Sequence, residues 1–82
     1  MTISPEQCRA ARGLLGWSQT DLAKASETAT KTIADFERKA REPYARTLEE
    51  IQAALEKAGV EFIPENGGGA GVRLAKRARK GK

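Results

Sequence analysis

The 82-residue sequence predicts an all-α domain of four to five short helices that is followed by a β-hairpin. Two observations lead to this fold class. Up to Gly59, apolar residues recur at intervals of three and four, the spacing of one helix face, and Ser or Thr residues precede these segments. After Gly59 the pattern changes to short β-type segments around a glycine-rich turn.

The first helix has a complete set of start signals. Ser4 and Gln7 have the spacing of a capping box, and Pro5 stands at the first helical position, where its missing N–H costs nothing. Gly13 and Gly16 mark the end of this helix. The residues expected on its inner face are Cys8, Ala11, Leu14 and Leu15.

The second helix begins at Ser18, and Asp21 stands three residues later, where a capping-box acid is expected. Trp17 and Leu22 flank this start at the spacing of a hydrophobic staple, which fixes the angle at which the chain enters the helix. The helical pattern then falters at residues 25–27. The second helix is therefore predicted to be only about two turns long.

Two more helices follow. The third is predicted from Thr28 to Lys39 and the fourth from Thr47 to Ala58, with Pro43 in the connector because proline cannot continue a helix. The inner face of the third helix is expected to contain Ala29, Ile33 and Phe36. The apolar stripe of the fourth helix consists of Leu48, Ile51, Ala54, Leu55 and Ala58.

The C-terminal part divides into a hairpin and a tail. Residues 60–63 and 72–74 are β-type segments, and the sequence PENGGGAG between them has turn composition. We therefore divide the chain into a helical domain at 1–59, a hairpin at 60–74 and a basic tail at 75–82 that we expect to be disordered. The tail is interpreted either as an arm that contacts phosphates or as a solubility tail.

Charge and composition favour a polyanion as partner and argue against several other functions. Residues 9–46 contain eight basic and five acidic residues, residues 73–82 contain six basic residues, and the segment 47–66 between them is acidic. The chain has no histidine and one cysteine, so we expect no enzyme, no metal site and no cofactor. Cys8 is interpreted as a buried apolar residue, and the lack of a long apolar segment or signal peptide predicts a cytoplasmic protein without a membrane span.

The break between the second and third helices has a functional interpretation. A connection of about three residues cannot place two short helices antiparallel, so the second helix would brace the third and expose it. The first turn of the third helix is polar, with Thr28, Thr30, Lys31 and Thr32. An exposed helix of this kind fits the DNA major groove, which is about 12 Å wide.

These residues resemble the Xre-type, lambda-repressor-like helix-turn-helix regulators of bacteria and phages. The resemblance covers about residues 8–58. It rests on Ser18-Gln19, Leu22-Ala23, Thr32-Ile33, Phe36-Glu37-Arg38, Pro43, Thr47-Leu48, Ile51 and Leu55. Glu27 departs from it because the family usually has glycine at this place. Ala29 stands where a Ser or Thr cap is usual, so either Thr28 caps the third helix or the turn differs.

The resemblance also implies roles for individual residues. Gln19 would bind a DNA phosphate and brace the reading helix, and Arg12 and Glu37 would form an internal salt bridge. Base edges would face Thr30, Lys31 and Asp35. Thr32 would lie close to a phosphate, and Thr28 is also expected among the DNA-binding residues. Lysine can donate to guanine and aspartate can accept from cytosine, although a carboxylate also repels phosphate. The residues that could reach the sugar-phosphate backbone are Arg38, Lys39, Arg41 and Arg46.

The expected function is sequence-specific binding of double-stranded DNA by a homodimer that regulates transcription, chiefly as a repressor, on a two-fold-related operator. The hairpin is the expected dimer element, through Val60, Phe62, Ile63, Val72 and Leu74. One alternative is an antitoxin or anti-activator, which would bind a toxin or another protein as well as DNA. Another is a factor that contacts RNA polymerase, through the acidic fourth helix or without reading sequence.

Overall fold

The computed structural model describes residues 2–75, and in this range four α-helices precede a two-stranded antiparallel sheet. The predicted all-α fold class with a C-terminal hairpin is confirmed. The elements are α1 (Pro5–Leu15), α2 (Gln19–Ser26), α3 (Thr30–Glu37), α4 (Ala45–Lys57), β1 (Val60–Ile63) and β2 (Gly71–Leu74).

The starts of α1 and α2 are fixed by local hydrogen bonds, as the sequence predicts. The Ser4 hydroxyl accepts from the Gln7 N–H at 3.0 Å, and the Ser4 N–H donates to the Gln7 side chain at 2.9 Å. Ser18 and Asp21 form the same reciprocal pair at 3.0 and 2.9 Å. Each capping box satisfies two N–H groups that a helix start otherwise leaves without a partner.

Three of the helices are followed, within two residues of their last residue, by a residue with a left-handed backbone. These residues are Gly16 (φ 70°), Glu27 (φ 59°) and Lys39 (φ 62°). In each case the next residue donates its N–H to a carbonyl five positions back, which satisfies a carbonyl at the helix end. These bonds are Trp17 to Arg12 at 2.9 Å, Thr28 to Ala23 at 3.0 Å and Ala40 to Asp35 at 2.8 Å.

Helix α3 is shorter than predicted at both ends. It begins at Thr30 because the chain at Glu27 and Thr28 closes the end of α2, and it ends at Glu37 because Lys39 is left-handed. Thr28 does not cap α3, since its hydroxyl lies 2.9 Å from the hydroxyl of Ser26. Ala29 occupies the cap position without a side-chain hydrogen bond and is exposed, so its predicted inward orientation is wrong.

Helix α4 begins at Ala45, two residues before the predicted start at Thr47. Tyr44 has an extended backbone, and Ala45 and Arg46 both favour the helical conformation, so the helix starts directly after Tyr44. Its acidic side chains lie on the exposed part of the surface, while its apolar stripe packs inward.

The core contains residues from every helix and from β1. The predicted core positions Ile33, Phe36, Ile51 and Leu55 are almost fully buried, and so is Leu22. One residue of the predicted inner face of α1 is misplaced: Leu14 is 41% exposed, because only one side of α1 contacts the other helices and the hairpin. The complete core comprises Ile3, Cys8, Ala11, Leu22, Ala23, Ile33, Phe36, Leu48, Ile51, Leu55, Val60 and Phe62.

The hairpin packs directly on the helices. Val60 and Phe62 of β1 are buried in the common core, opposite Leu74 and Val72 of β2. The Gln7 side chain adds a polar link, because its amide N–H groups donate to the carbonyls of Gly71 at 3.1 Å and Ile63 at 3.4 Å. Removal of the hairpin would therefore expose the core of the helical part. The predicted tail at 75–82 lies, apart from its first residue, outside the described residues.

The left-handed conformation of Glu27 generates a stability prediction. A residue with a Cβ costs about 1 kcal/mol more than glycine in this region, so we expect Glu27→Gly to raise the free energy of unfolding by about that amount. Urea denaturation followed by circular dichroism measures the change. Lys24→Gly, at an exposed position inside α2, is the matched control and should lower stability by about 1 kcal/mol. A loss of stability in Glu27→Gly would contradict the role of the left-handed turn.

Candidate nucleic-acid interface

The arrangement of α2 and α3 is fixed by a short turn and by packing. Residues 27–29 separate the two helices, so the predicted break is present. The Ser26 hydroxyl donates to the Leu22 carbonyl at 2.7 Å and also contacts the Thr28 hydroxyl, which closes the turn with internal bonds. Helix α2 packs on both α3 and α4, so it braces α3 from one side.

A single buried carboxylate links α1, α2 and α3. Glu37, at the end of α3, is 3% exposed and accepts four hydrogen bonds. Arg12 of α1 donates through Nε at 2.8 Å and through its terminal nitrogen at 2.7 Å. Gln19 at the start of α2 donates at 3.1 Å, and the Cys8 thiol donates at 3.2 Å. The Arg12–Glu37 salt bridge expected from the resemblance is present in the structure.

The ionisation of this cluster follows from its contacts. Burial acts to raise the pKa of Glu37, but the hydrogen bonds from Arg12, Gln19 and Cys8 outweigh it and lower the pKa below its ordinary value. The bond to Glu37 raises the pKa of Arg12. Burial, and then the bond to Glu37, raise the pKa of Cys8, so the thiol remains a neutral donor. The cluster is thus a charged pair with two neutral donors.

The first turn of α3 faces outward. Thr30 is exposed, and 80% of the Lys31 side chain is accessible. Thr32 and Thr28 are half-buried beside them. Because Ala29 has no side chain that can accept, the first N–H groups of α3 are not capped from within the protein. The structure thus brings the predicted reading residues to one exposed end of the helix.

Asp35 has different surroundings from the other predicted reading residues. Only 12% of its side chain is exposed, and its two oxygens face Arg38 at 2.8 Å and Lys31 at 3.3 Å. The hydrogen bond from Arg38, followed by that from Lys31, lowers the pKa of Asp35 despite its burial. Contact with a cytosine amino group would require one of these two cations to move, so base reading by Asp35 stays a prediction.

The four basic residues predicted to reach the sugar-phosphate backbone of DNA are all exposed, but they differ in their partners. Arg38 pairs with Asp35, and Lys39 pairs with Glu6 at the start of α1. Arg46 lies 3.9 Å from Glu50, which is a weak pair at the surface. Arg41 is exposed in the connector between α3 and α4. Lys39 therefore points toward α1, and the other three cations lie nearer to the exposed side of α3 and the start of α4.

A groove of about 720 Å³ runs between α3 and the start of α4. Lys31 and Thr32 line one side, and Arg41, Tyr44 and Thr47 line the other. Tyr44 is 87% exposed and was not among the residues predicted from the sequence. The sequence does contain a signal for it, because this aromatic residue stands between Arg41 and Arg46, directly after Pro43.

The comparison with protein families decides the identity of this fold. A family model described as helix-turn-helix matches residues 9–62, which is well over half of the chain. The chain belongs to this helix-turn-helix family. The resemblance to Xre-type, lambda-repressor-like regulators is thereby confirmed. Among curated proteins, no relative matches the chain.

Membership in the family determines the general function. This helix-turn-helix protein is a DNA-binding transcriptional regulator, and α2 and α3 are the two helices of its motif. Within residues 2–75, no helix is long and apolar enough to cross a membrane. The same residues contain no group of three or more His, Cys, Asp or Glu side chains that could hold a metal ion.

The Glu37 cluster generates the next prediction. We expect Glu37→Ala to lower the free energy of unfolding at pH 7 by about 3 kcal/mol, because Arg12, Gln19 and Cys8 lose their common acceptor. Denaturant unfolding at a series of pH values measures this. Since the folded pKa is lowered, the contribution of Glu37 is present above about pH 4.5 and is lost as the pH falls through the folded pKa.

The control for this experiment is Glu50→Ala, which removes an exposed glutamate from a weak surface pair. Its effect should be within about 0.5 kcal/mol at every pH. Equal unfolding curves for Glu37→Ala and the unmodified protein at pH 7 would contradict a stabilising role of the cluster.

Proposed function

We propose that the regulator binds double-stranded DNA sequence-specifically as a homodimer, with α3 in the major groove, and that it acts chiefly as a repressor. One observation carries this proposal. The Glu37 cluster joins α1 and α2 to the far end of α3, which leaves the first turn of α3 exposed with Thr30 and Lys31 outward. A held helix with an exposed polar end has the form that major-groove recognition needs.

Lys31 is the residue that we propose as the principal base contact. Its ammonium can donate to the O6 and N7 acceptors of guanine. Its ion pair with Asp35 is 3.3 Å long and exposed on the lysine side, so its release costs little. Thr30, in the same turn, supplies a hydroxyl that can donate or accept at a neighbouring base edge.

Several residues around α3 are suited to the sugar-phosphate backbone. The Gln19 amide has two N–H groups, and because one donates to Glu37, the other is available for a phosphate oxygen. Arg41 and Tyr44 line the groove beside α3, and Arg46 lies in the first turn of α4. Arginine, tyrosine and glutamine side chains are frequent donors to phosphate, and such contacts position a protein on DNA without reading sequence.

The dimer is proposed from the hairpin and from the size of the domain. Within the described residues the sheet has two strands, so each strand has an edge without a strand partner. Leu74 of β2 is 50% exposed, and Ile63 and Val72 are partly exposed. Val60 and Phe62 are buried and cannot offer side chains to a second copy. The domain measures 35 × 32 × 20 Å, so two adjacent copies can place equivalent helices about 34 Å apart, one turn of DNA.

We propose that this dimer represses transcription. Two domains on successive turns would cover one side of a promoter and exclude polymerase by occupying the same DNA. The exposed acidic face of α4 is the place where a contact with polymerase would instead produce activation at some sites.

Selection of bound fragments from random duplex DNA tests the proposed function as a whole. The expected result is a consensus with two-fold symmetry and half-sites separated by about one DNA turn. Binding that depends on salt but shows no consensus would contradict sequence-specific recognition and favour a factor that contacts DNA only through phosphates.

Substitution of Lys31 tests the reading helix. Lys31→Ala should weaken binding to the selected site by about 1–3 kcal/mol and relax the preference at one base pair, because a base contact is lost. Fluorescence anisotropy with labelled duplexes of the selected and singly altered sites measures both effects. Lys57→Ala is the matched control, since it removes the same charge at the far end of α4. Equal losses in the two variants would argue against base contact by Lys31.

Substitution of Tyr44 tests the contact that only the structure indicates. Tyr44→Phe removes a hydroxyl that can donate to phosphate, so binding to all sequences should weaken alike, by about 1–2 kcal/mol. Because Tyr44 is exposed in the free protein, the variant should unfold like the unmodified chain. Anisotropy with selected and random duplexes provides the measurement, and unchanged binding to both would contradict the role of Tyr44.

Substitution of Leu74 tests the dimer element. Leu74→Asp should shift the protein toward monomer in sedimentation velocity, because it places a charge at the proposed interface. Leu14→Asp is the matched control, since Leu14 is a similarly exposed leucine on α1. If Leu14→Asp dissociated the dimer and Leu74→Asp did not, the interface would lie on α1 and not on the hairpin.

A further inference from the structure

The loop of the hairpin contains an asparagine that is followed by glycine. Asn66 is the only asparagine in the 82 residues, and Gly67 follows it. Both residues are exposed in the segment between β1 and β2. Gly67 has φ 100°, and apart from its chain neighbours no atom lies within 4 Å of the place where a Cβ would stand, so the loop is open on this side.

Two hydrogen bonds arrange polar groups around this pair of residues. The Gly67 N–H donates to a carboxylate oxygen of Glu65 at 3.4 Å. The Gly68 N–H donates to the side-chain carbonyl oxygen of Asn66 at 3.4 Å. The first contact places a base beside the Gly67 nitrogen, and the second places a donor where negative charge would develop if the Asn66 carbonyl were attacked.

We propose that Asn66 is a site of self-catalysed modification, in which the side-chain amide becomes a carboxylate. The Gly67 nitrogen attacks Cγ of Asn66 as Glu65 accepts its proton, and the Gly68 N–H stabilises the oxygen of the tetrahedral intermediate. The Cγ–Nδ2 bond then breaks, and ammonia leaves with a proton returned to it. The product is a cyclic imide between residues 66 and 67.

Water completes the reaction by opening the imide at either carbonyl. Attack at the backbone carbonyl carbon of residue 66 gives isoaspartate, in which the backbone passes through the former side chain and is one atom longer. Attack at Cγ gives aspartate with an unchanged backbone. Both products add one negative charge to the hairpin loop, beside Glu65. The loop therefore passes through up to four chemical forms, namely asparagine, the imide, aspartate and isoaspartate, whose proportions depend on the age of the molecule.

Intact-mass measurement during incubation of the full chain at pH 7.5 tests this inference. The expected result is a gradual gain of the mass difference between an amide and an acid. Peptide mapping should locate the change at residue 66 and separate the aspartate and isoaspartate forms. The folded chain should react faster than the chain in urea, where the Glu65 and Gly68 contacts are lost. Equal rates in both states would overturn the structural part of the proposal.

Two variants separate the contributions of the loop. Asn66→Gln should abolish the mass gain on the same time scale, because its longer side chain would have to form a larger ring. Glu65→Gln should slow the reaction on the order of 10-fold, less than a well-aligned general base contributes, because the 3.4 Å contact is long. A folded chain without any mass gain at residue 66 would refute the proposal, and an unchanged rate in Glu65→Gln would refute the role of Glu65.

Discussion

The burial of the Glu37 carboxylate is the constraint on which the rest of this structure depends. Helices of eight to eleven residues such as α1, α2 and α3 have little stability in isolation, so tertiary contacts must hold them. A buried carboxylate is costly unless every acceptor position has a partner, and here Arg12, Gln19 and Cys8 supply the partners from two other helices. Arg12 also donates to the Trp17 carbonyl, which fixes the chain between α1 and α2. The relative positions of the three helices are thus specified by one charged group.

The burial of Glu37 explains why the N-terminal turn of α3, and not its C-terminal turn, is the proposed DNA-contacting end. Glu37 holds the last turn of α3 inside the protein, so the first turn is the end that remains exposed. The turn before α3 contains a left-handed glutamate and an uncapped start, both of which cost stability. Local features that reduce stability near a binding surface are common, because the surface is selected for contact with a partner and the core supplies the remaining stability.

Charge in the free protein is already organised around α3. Asp35 lies between Lys31 and Arg38, so two of the proposed DNA-contacting cations already have an ionic partner before any DNA is present. These pairs reduce the positive field of the helix, and salt screens their exposed partners. Phosphate or guanine can replace Asp35 as the partner of either cation. The released Asp35 carboxylate would then repel nearby phosphates. Only a good acceptor for Lys31 offsets this repulsion, so DNA sites that offer such an acceptor are favoured over sites that do not.

The sequence by itself determined the features that depend on neighbours within three or four residues, namely both capping boxes and most positions of the helical stripes. The change of pattern after Gly59 also indicated the hairpin. Even the contacts of Asp35 with Lys31 and Arg38 have helical spacing and were open to prediction. Only the tertiary structure decided that Val60 and Phe62 belong to the core, that Leu14 is exposed, and that Tyr44 lies beside α3. These outcomes depend on how distant segments pack, and the periodicity of one segment contains no information about which surface another segment will cover.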